Sequence, residues 1–283
     1  MEKPFGDRLN EMINNSRIVL FLQGEMAQLT YISYEKFIES VKSEESETIP
    51  ITYPVGLRPD NTLINHTRNY TKQELIERYQ LLALDKLPID GILKLVTLME
   101  TLLNDILRKI LIEYPNKIPN KRKIDVEKAL NAKSLEEIKL YIVDSILNDI
   151  AYKSPKDYAD EFNKYVGVNL LENPIFHKYI ELKATRDIHI HNNGIANEIY
   201  RTKSGVMARL NTDVFLPVTV QYFLQSYECC LQLNELLEAE LDKIWPSQEY
   251  RESKIKTSSA TEEKENVVEK AIEESKEQKE TEK

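Results

Sequence analysis

The stretch Lys183-Ala-Thr-Arg186-Asp187-Ile188-His189-Ile190-His191-Asn192-Asn193-Gly194 concentrates polar chemistry, with two of the chain's four histidines beside an arginine, an aspartate and two asparagines. Histidine titrates near neutrality and can give or take a proton. Arginine stays charged and can hold a phosphate through two parallel hydrogen bonds. One His and one Arg at a phosphate suffice for metal-free RNA cleavage. The 2′-hydroxyl attacks the adjacent phosphorus, His assists proton transfer and Arg stabilises the developing charge. Asp187 and His191 are four apart and share a helix face, so Asp187 can orient the imidazole and favour its charged form. The negative helix C-terminus acts in the same direction.

Spacing alone does not select His191 as the partner of Arg186. Five residues leave them ~140° apart around an ideal helix, whereas His189 lies ~60° from Arg186. Arg186 and His191 meet at one phosphate only if the helix end frays or a second chain contributes. Two other readings stand beside catalysis. Arg186, Asp187 and His191 also suit a structural cap and ion-pair set. His189-x-His191 has the form of a metal pair, but no cysteine or dense carboxylate cluster accompanies it, so no metal and no cofactor is expected. His66 and His177 carry no specific signal.

Basic residues flank the motif. Lys183 and Arg201 are candidates for phosphate contact, with Lys203 and Arg209 nearby. Lys117, Lys121, Arg122 and Lys123 form a second cluster in a predicted loop. Tyr200 and Tyr179 are candidates for stacking on bases. The plainer alternatives are solubility for the cations and packing for the tyrosines, of which the chain has 15.

Helices must position these groups. Apolar residues at Ile89, Ile92, Leu93, Val96, Met99, Leu103, Ile106, Leu107, Ile110 and Leu111 predict a helix from about Pro88 to Tyr114. Thr71-Lys72-Gln73-Glu74 and Ser134-Leu135-Glu136-Glu137 match capping boxes. The first opens a helix running to about Lys86. Ser154-Pro155 opens a helix that ends near Gly167. Asn173-Pro174 opens the motif helix, through Phe176, Tyr179, Ile180 and Lys183 towards His191, and Asn192-Asn193-Gly194 has the composition of its C-cap. Asn211-Thr212-Asp213 supplies N-cap candidates for a last helix with Pro217 near its first turn, which Trp245-Pro246 ends. On it Cys230 reads as a small core hydrophobe. Ile18 to Leu22 is a short apolar run suited to a buried helix or a strand. Ile49 to Asn69 holds three prolines and little periodicity.

Composition sets the frame. Of 283 residues only 7 are glycine, about 2.5% against the usual ~7%. This argues for helices over a many-turned sheet. No dinucleotide, P-loop, zincin, zinc-ribbon or nucleophile-elbow motif occurs. A net charge of −9 argues against a general nucleic-acid coat, though not against a local positive cleft. The first residues lack a signal-peptide core, and no apolar run approaches the ~18 residues that span a membrane. The two cysteines, Cys229 and Cys230, are adjacent and form no disulfide framework. A cytoplasmic protein with no membrane partner is expected. From Ser247 to Lys283, 19 of 37 residues are charged, which predicts a solvated, disordered tail. The expected organisation is an N-terminal extension over 1–70, a helical domain over 71–246 and the tail over 247–283.

Arg186-Asp187-x-x-x-His191-Asn192-x-Gly194 resembles the R-x4-6-H signature of the HEPN superfamily of small all-helical domains. The polar Asp187 directly after the arginine fits that pattern. The helix carrying Leu98-Met99-Glu100-Thr101-Leu102-Leu103-Asn104-Asp105 resembles a HEPN core helix. Ser154-Pro155, Gly167-Val168 and Asn197-Glu198-Ile199-Tyr200 follow in a familiar order. The resemblance covers roughly Thr71 to Trp245. It implies an all-α, HEPN-like bundle that homodimerises with the motif helices facing each other, so that both Arg/His sets line one cleft on the two-fold axis. It implies a metal-independent endoribonuclease of toxin or anti-phage defence type, acting on single-stranded RNA or a tRNA loop. The products would carry a 2′,3′-cyclic phosphate and a 5′-hydroxyl. Arg186 and His191 would be the catalytic pair, with Asp187, Asn192 and His189 in support, and an antitoxin or defence-system partner would be conceivable. Some HEPN domains are not nucleases, so the alternative is a non-catalytic interaction or regulatory module.

Overall fold

The computed structural model describes residues 3–120 and 122–254. Lys121 of the predicted basic loop and 255–283 of the predicted tail lie outside the described residues. Helices dominate, as the composition predicts, with one exception near the N-terminus.

α1 runs unbroken from Phe5 to Ser43 and absorbs the Ile18–Leu22 run as helix. An antiparallel hairpin follows, β1 (Thr48–Leu57) and β2 (Leu63–Thr71), in the register Thr48↔Thr71 and Tyr53↔His66 with an irregularity between Pro54 and Gly56. The mostly helical expectation holds with this one addition, so that the predicted N-terminal extension is, over its described residues, a long helix followed by a hairpin. β1 alternates in sequence, with Ile49, Ile51, Tyr53, Val55 and Leu57 at every second position, but Pro50 and Pro54 between them read as loop residues, β2 carries no matching alternation, and neither strand fully buries a face. Pro50 and Pro54 are tolerated because a two-stranded sheet consists only of edges. The signal that was present is β-branched and aromatic density over Thr48-Ile49-Pro50-Ile51-Thr52-Tyr53. The Thr52 and Thr67 hydroxyls bond across the pair at 2.8 Å, and Asn61 turns the loop with φ +65°.

Thr71 then starts α2 (Lys72–Gln80) with the capping box read from the sequence: its hydroxyl accepts from Glu74 N–H and Glu74 returns to Thr71 N–H. Residues Leu81–Lys86 continue as a π-helical turn into α3 (Leu87–Glu113), with Leu87 N–H reaching back five residues to Leu82. Pro88 has no N–H to give to residue 84 and its ring crowds that carbonyl, and a widened turn just upstream accommodates both. α3 buries Ile92, Val96, Met99, Leu103, Ile106 and Ile110, the predicted stripe.

Next come α4 (Val126–Asn131), α5 (Leu135–Ala151), α6 (Pro155–Val166), α7 (Pro174–His191), α8 (Glu198–Ser204) and α9 (Val220–Ile244). Ser134 caps α5, but the reciprocal Glu137 carboxylate takes the N–H of Lys133 instead of the cap residue's own. Ser154 caps α6, and Gly167 ends it in the left-handed region. α3 is the central element and packs against α5, α6 and α7, while α7 also packs against α8. α9 meets α3 where Gly91 leaves room for Phe223; a Cβ on Gly91 would come within 2.5 Å of that ring. Cys230 is fully buried on α9, as expected of a core hydrophobe.

The start of α9 is corrected. Asn211-Thr212-Asp213 does not cap it. The helix begins at Val220, where the Thr219 hydroxyl accepts from Tyr222 N–H, and Pro217 lies ahead of the first turn. Residues 213–216 instead form backbone hydrogen bonds with 194–196 (Ala196 N–H to Val214, Asp213 N–H to Ala196, Leu216 N–H to Gly194). The polar triplet therefore serves a turn, with Asp213 at φ +61°.

By packing the described chain divides into two compact units, one spanning Asn15–Glu235 and the other drawn from residues 3–14 and 236–254. The division cuts through α1 and α9 at places that composition does not mark. In the smaller unit Phe5 meets Trp245 edge to face at 5.6 Å, Asp7 accepts from Gln248 N–H at 2.5 Å and Ser247 N–H bonds Asp242. Residues 248–254 are helical.

Candidate functional site

The motif occupies the last turns of α7 and the turn that ends it. Asn192 and Gly194 both donate backbone N–H to the Ile188 carbonyl, at 2.9 and 3.1 Å. Asn193 and Gly194 take positive φ, +49° and +76°. This is the C-cap the sequence predicts. Gly194 is required twice. Its φ disfavours a side chain, and a Cβ there would fall 2.6 Å from the Phe215 ring and 3.0 Å from His189. Asn192 Nδ2 donates to the Ile195 carbonyl, so it holds the turn.

His189 also fastens this turn. Its Nε2 lies 2.9 Å from the Leu216 carbonyl, an acceptor, so that nitrogen carries the proton. The ring stands edge-on to Phe215 at 5.8 Å. Burial pushes the imidazole below its ordinary pKa and the charges of Arg209 and Lys86 add to this, partly offset by the Leu216 hydrogen bond. His189 is a neutral, structural histidine.

Arg186 faces α3. Its Nη2 donates to Glu100 Oε2 at 2.5 Å and its Nη1 lies 3.3 Å from Asp187 Oδ1. Glu100 also takes the Lys183 ammonium. Asp187 is held on its other side by Lys203 at 3.1 Å. The predicted Asp187–His191 pair is therefore not the arrangement found, because Asp187 bonds cations on both sides. Lys183, expected at a phosphate, is engaged by Glu100. His191 is exposed and makes no side-chain hydrogen bond among the described residues. The ~140° between positions 186 and 191 on α7 takes physical form here: Arg186 points inward and His191 outward.

Tyr200 is corrected as a base-stacking residue. Its ring is 1% exposed, packed with Ala184, Ile188, Ala196 and Leu216. Its hydroxyl donates to the buried carboxylate of Glu181 at 2.8 Å and accepts from Arg209 N–H. Tyr179 is 3% exposed and equally closed to stacking. Arg201 remains at the surface, 3.9 Å from Glu198, on the rim of an open cleft of about 600 Å³ that Arg209 also lines. Among the described residues no three of His, Cys, Asp and Glu come together to hold a metal ion. No described helix is long and apolar enough to cross a membrane.

Two features escaped the sequence reading. Glu100 orients Arg186. Its signal is a carboxylate between the core positions Val96 and Leu103 of an otherwise apolar stripe. Glu181 gathers Thr185, Tyr200, Arg209 and Tyr222 around one buried charge. Its partners lie up to 41 residues away, so no local pattern announces them. No protein family, no curated protein and no solved structure matches this chain.

Proposed function

We propose that this chain is a metal-independent endoribonuclease of HEPN type, with a toxin or anti-phage defence role, that acts as a homodimer. Arg186 and His191 are its catalytic pair, and Arg201 contacts phosphate. The observation that carries the reading is the state of the two motif residues at one helix end. His191 is exposed and unengaged beside an ordered cap, while Arg186 is held at a fixed position by Glu100 and Asp187. The mostly helical core, with α7 packed on α3, supports it. Because the two side chains diverge on one helix, the reading needs the second copy to bring a His191 towards an Arg186, or release of Arg186 from Glu100. In either case the chemistry is 2′-hydroxyl attack, with His191 moving the proton and Arg186 neutralising the phosphorane.

A second reading has its own observation. Both Nη groups of Arg186 are committed to carboxylates, as in a structural ion-pair set, which favours a non-catalytic interaction module. The test is cleavage of total RNA in EDTA by wild type and His191→Ala. The substitution removes an exposed side chain that bonds nothing, so it leaves the fold intact. Cleavage by wild type alone supports the nuclease. No cleavage by either protein, with RNA intact at every concentration, rejects it in favour of the module.

A further inference from the structure

Beside Glu100, along residues 176–183 of α7, lies a cavity of about 280 Å³ between α3, α5, α6 and α7. Its walls are mostly apolar, from Leu103, Phe176, Ile180 and Pro155, and Glu100, Lys153 and Lys183 supply its charge. Three of its lining residues carry polar atoms that are closed from solvent and have no hydrogen-bond partner: Asn104 Oδ1, Tyr158 Oη and Tyr179 Oη. A sealed, unsatisfied polar atom is costly, and three on residues that line one cavity are unusual in a folded core. Burial and the Glu100 carboxylate raise both phenols, so both stay protonated donors. Tyr152, at the mouth, is 92% exposed on the end of α5.

We propose that this cavity binds a nucleobase, as a free nucleoside or as a base of an RNA strand. The slot asks for flat apolar faces against Leu103 and Phe176. It asks for an edge that offers a donor to Asn104 Oδ1 and acceptors to the two tyrosine hydroxyls. The charged groups of the lining are already paired, Glu100 with Lys183 and Arg186 and Lys153 with Glu161, so an uncharged heterocycle with an exocyclic amine and ring acceptors leaves those pairs intact, whereas a charged ligand would have to compete with them. The volume suits a base with its sugar at the mouth, where the exposed Tyr152 ring can stack. Because the three polar atoms are closed off in the free protein, engaging them takes a side-chain adjustment, the usual extent of change on binding. The proposal goes beyond the nuclease reading and does not rest on it, since binding is read without turnover.

The experiment is calorimetric titration of the full chain with adenosine, guanosine, cytidine and uridine, and with a short labelled single-stranded RNA. Wild type is compared with Tyr158→Phe and Tyr179→Phe. The expected result is saturable binding of at least one of these probes, weakened about tenfold in each variant. The melting temperature of both variants stays unchanged or rises, because each deleted hydroxyl has no partner in the free protein. Competition between nucleoside and RNA assigns the site to an RNA base; nucleoside binding that RNA leaves untouched assigns it to a free nucleoside. Absence of saturable binding of every probe at millimolar concentration overturns the proposal. So does binding that both variants retain at wild-type strength.

Discussion

Arg186 on α7 and Glu100 on α3 form the charged tie between the two helices, Nη2 to Oε2 at 2.5 Å, with Lys183 on the same carboxylate. The Arg186 side chain is 16% exposed and Glu100 30%, so screening weakens the pair without abolishing it. Removing one partner leaves the other charge with less compensation, Glu100 with Lys183 alone and Arg186 with Asp187 alone, which costs more per residue than removing both. Glu100→Leu is expected to cost about 2–3 kcal/mol and Arg186→Met about 1–2. The double variant should be less destabilised than the sum by about 1 kcal/mol. Urea denaturation of the four proteins measures this, and additive costs would show that the pair is not coupled. Under the proposed nuclease reading, a variant at Arg186 that does not cleave RNA would be ambiguous, which is why His191 is the discriminating position.

His189 makes stability depend on pH. Burial lowers its folded pKa below the ordinary 6.5, so the folded state resists protonation more than the unfolded chain does. The contribution is complete above about pH 6.5 and is lost as pH falls below it, down to the lowered folded value. Urea unfolding at pH 7.5, 6.5 and 5.5 should show the free energy of wild type falling with pH in this window. The slope from this one residue is at most about 1.4 kcal/mol per pH unit. His189→Gln, which keeps a donor for the Leu216 carbonyl, should flatten that part of the curve. An identical slope in the variant would assign the pH dependence to other groups.

Gly194→Ala tests the cap. The residue sits at φ +76°, and its new Cβ would meet Phe215 at 2.6 Å. A cost of about 1–3 kcal/mol is expected, above that of a strain-free Gly→Ala change. Asn193→Gly, at φ +49°, should be neutral or stabilising by a few tenths of a kcal/mol. Thermal unfolding compares the two, and a Gly194→Ala protein as stable as wild type would mean the turn relaxes around the methyl group.

Much of this cap was legible because its causes are local. Asn173-Pro174, Ser154-Pro155, Thr71-x-x-Glu74 and Asn193-Gly194 each act on backbone groups within a few residues, and each is found in its predicted role. The hairpin was hard to read because Pro50 and Pro54 interrupt the alternation of Ile49, Ile51, Tyr53, Val55 and Leu57 with residues typical of loops, and Leu63–Thr71 carries no matching alternation. The α9 start was misread because Asn211 to Asp213 has cap chemistry but is used by a turn that pairs with 194–196, a contact set by tertiary packing. At the site the sequence supplied Arg186, Asp187 and His191 but not their partners. Glu100 lies 86 residues from Arg186 and Lys203 lies 16 from Asp187, and i,i+4 reasoning sees neither.

The rotational setting of α7, which turns Arg186 inward and His191 outward, depends on Glu181. This buried carboxylate accepts from Thr185 Oγ1, Tyr200 Oη and Tyr222 Oη at 2.8 Å each and from Arg209 Nε at 3.1 Å. Arg209 in turn lies over the Tyr222 ring at 3.6 Å and donates to the Pro217 carbonyl, which joins α7 to the chain leading into α9. Burial raises the Tyr222 phenol well above its ordinary pKa, so it remains a donor into alkaline solution. Glu181→Gln keeps the volume but leaves the Arg209 charge uncompensated and should cost about 3 kcal/mol or more. Tyr222→Phe removes one donor from a carboxylate that keeps three, so its cost should be nearer 1 kcal/mol. Urea denaturation gives both values. If both changes cost under about 0.5 kcal/mol, the range of ordinary surface substitutions, then Glu181 does not set the helix and another contact must hold Arg186 against α3.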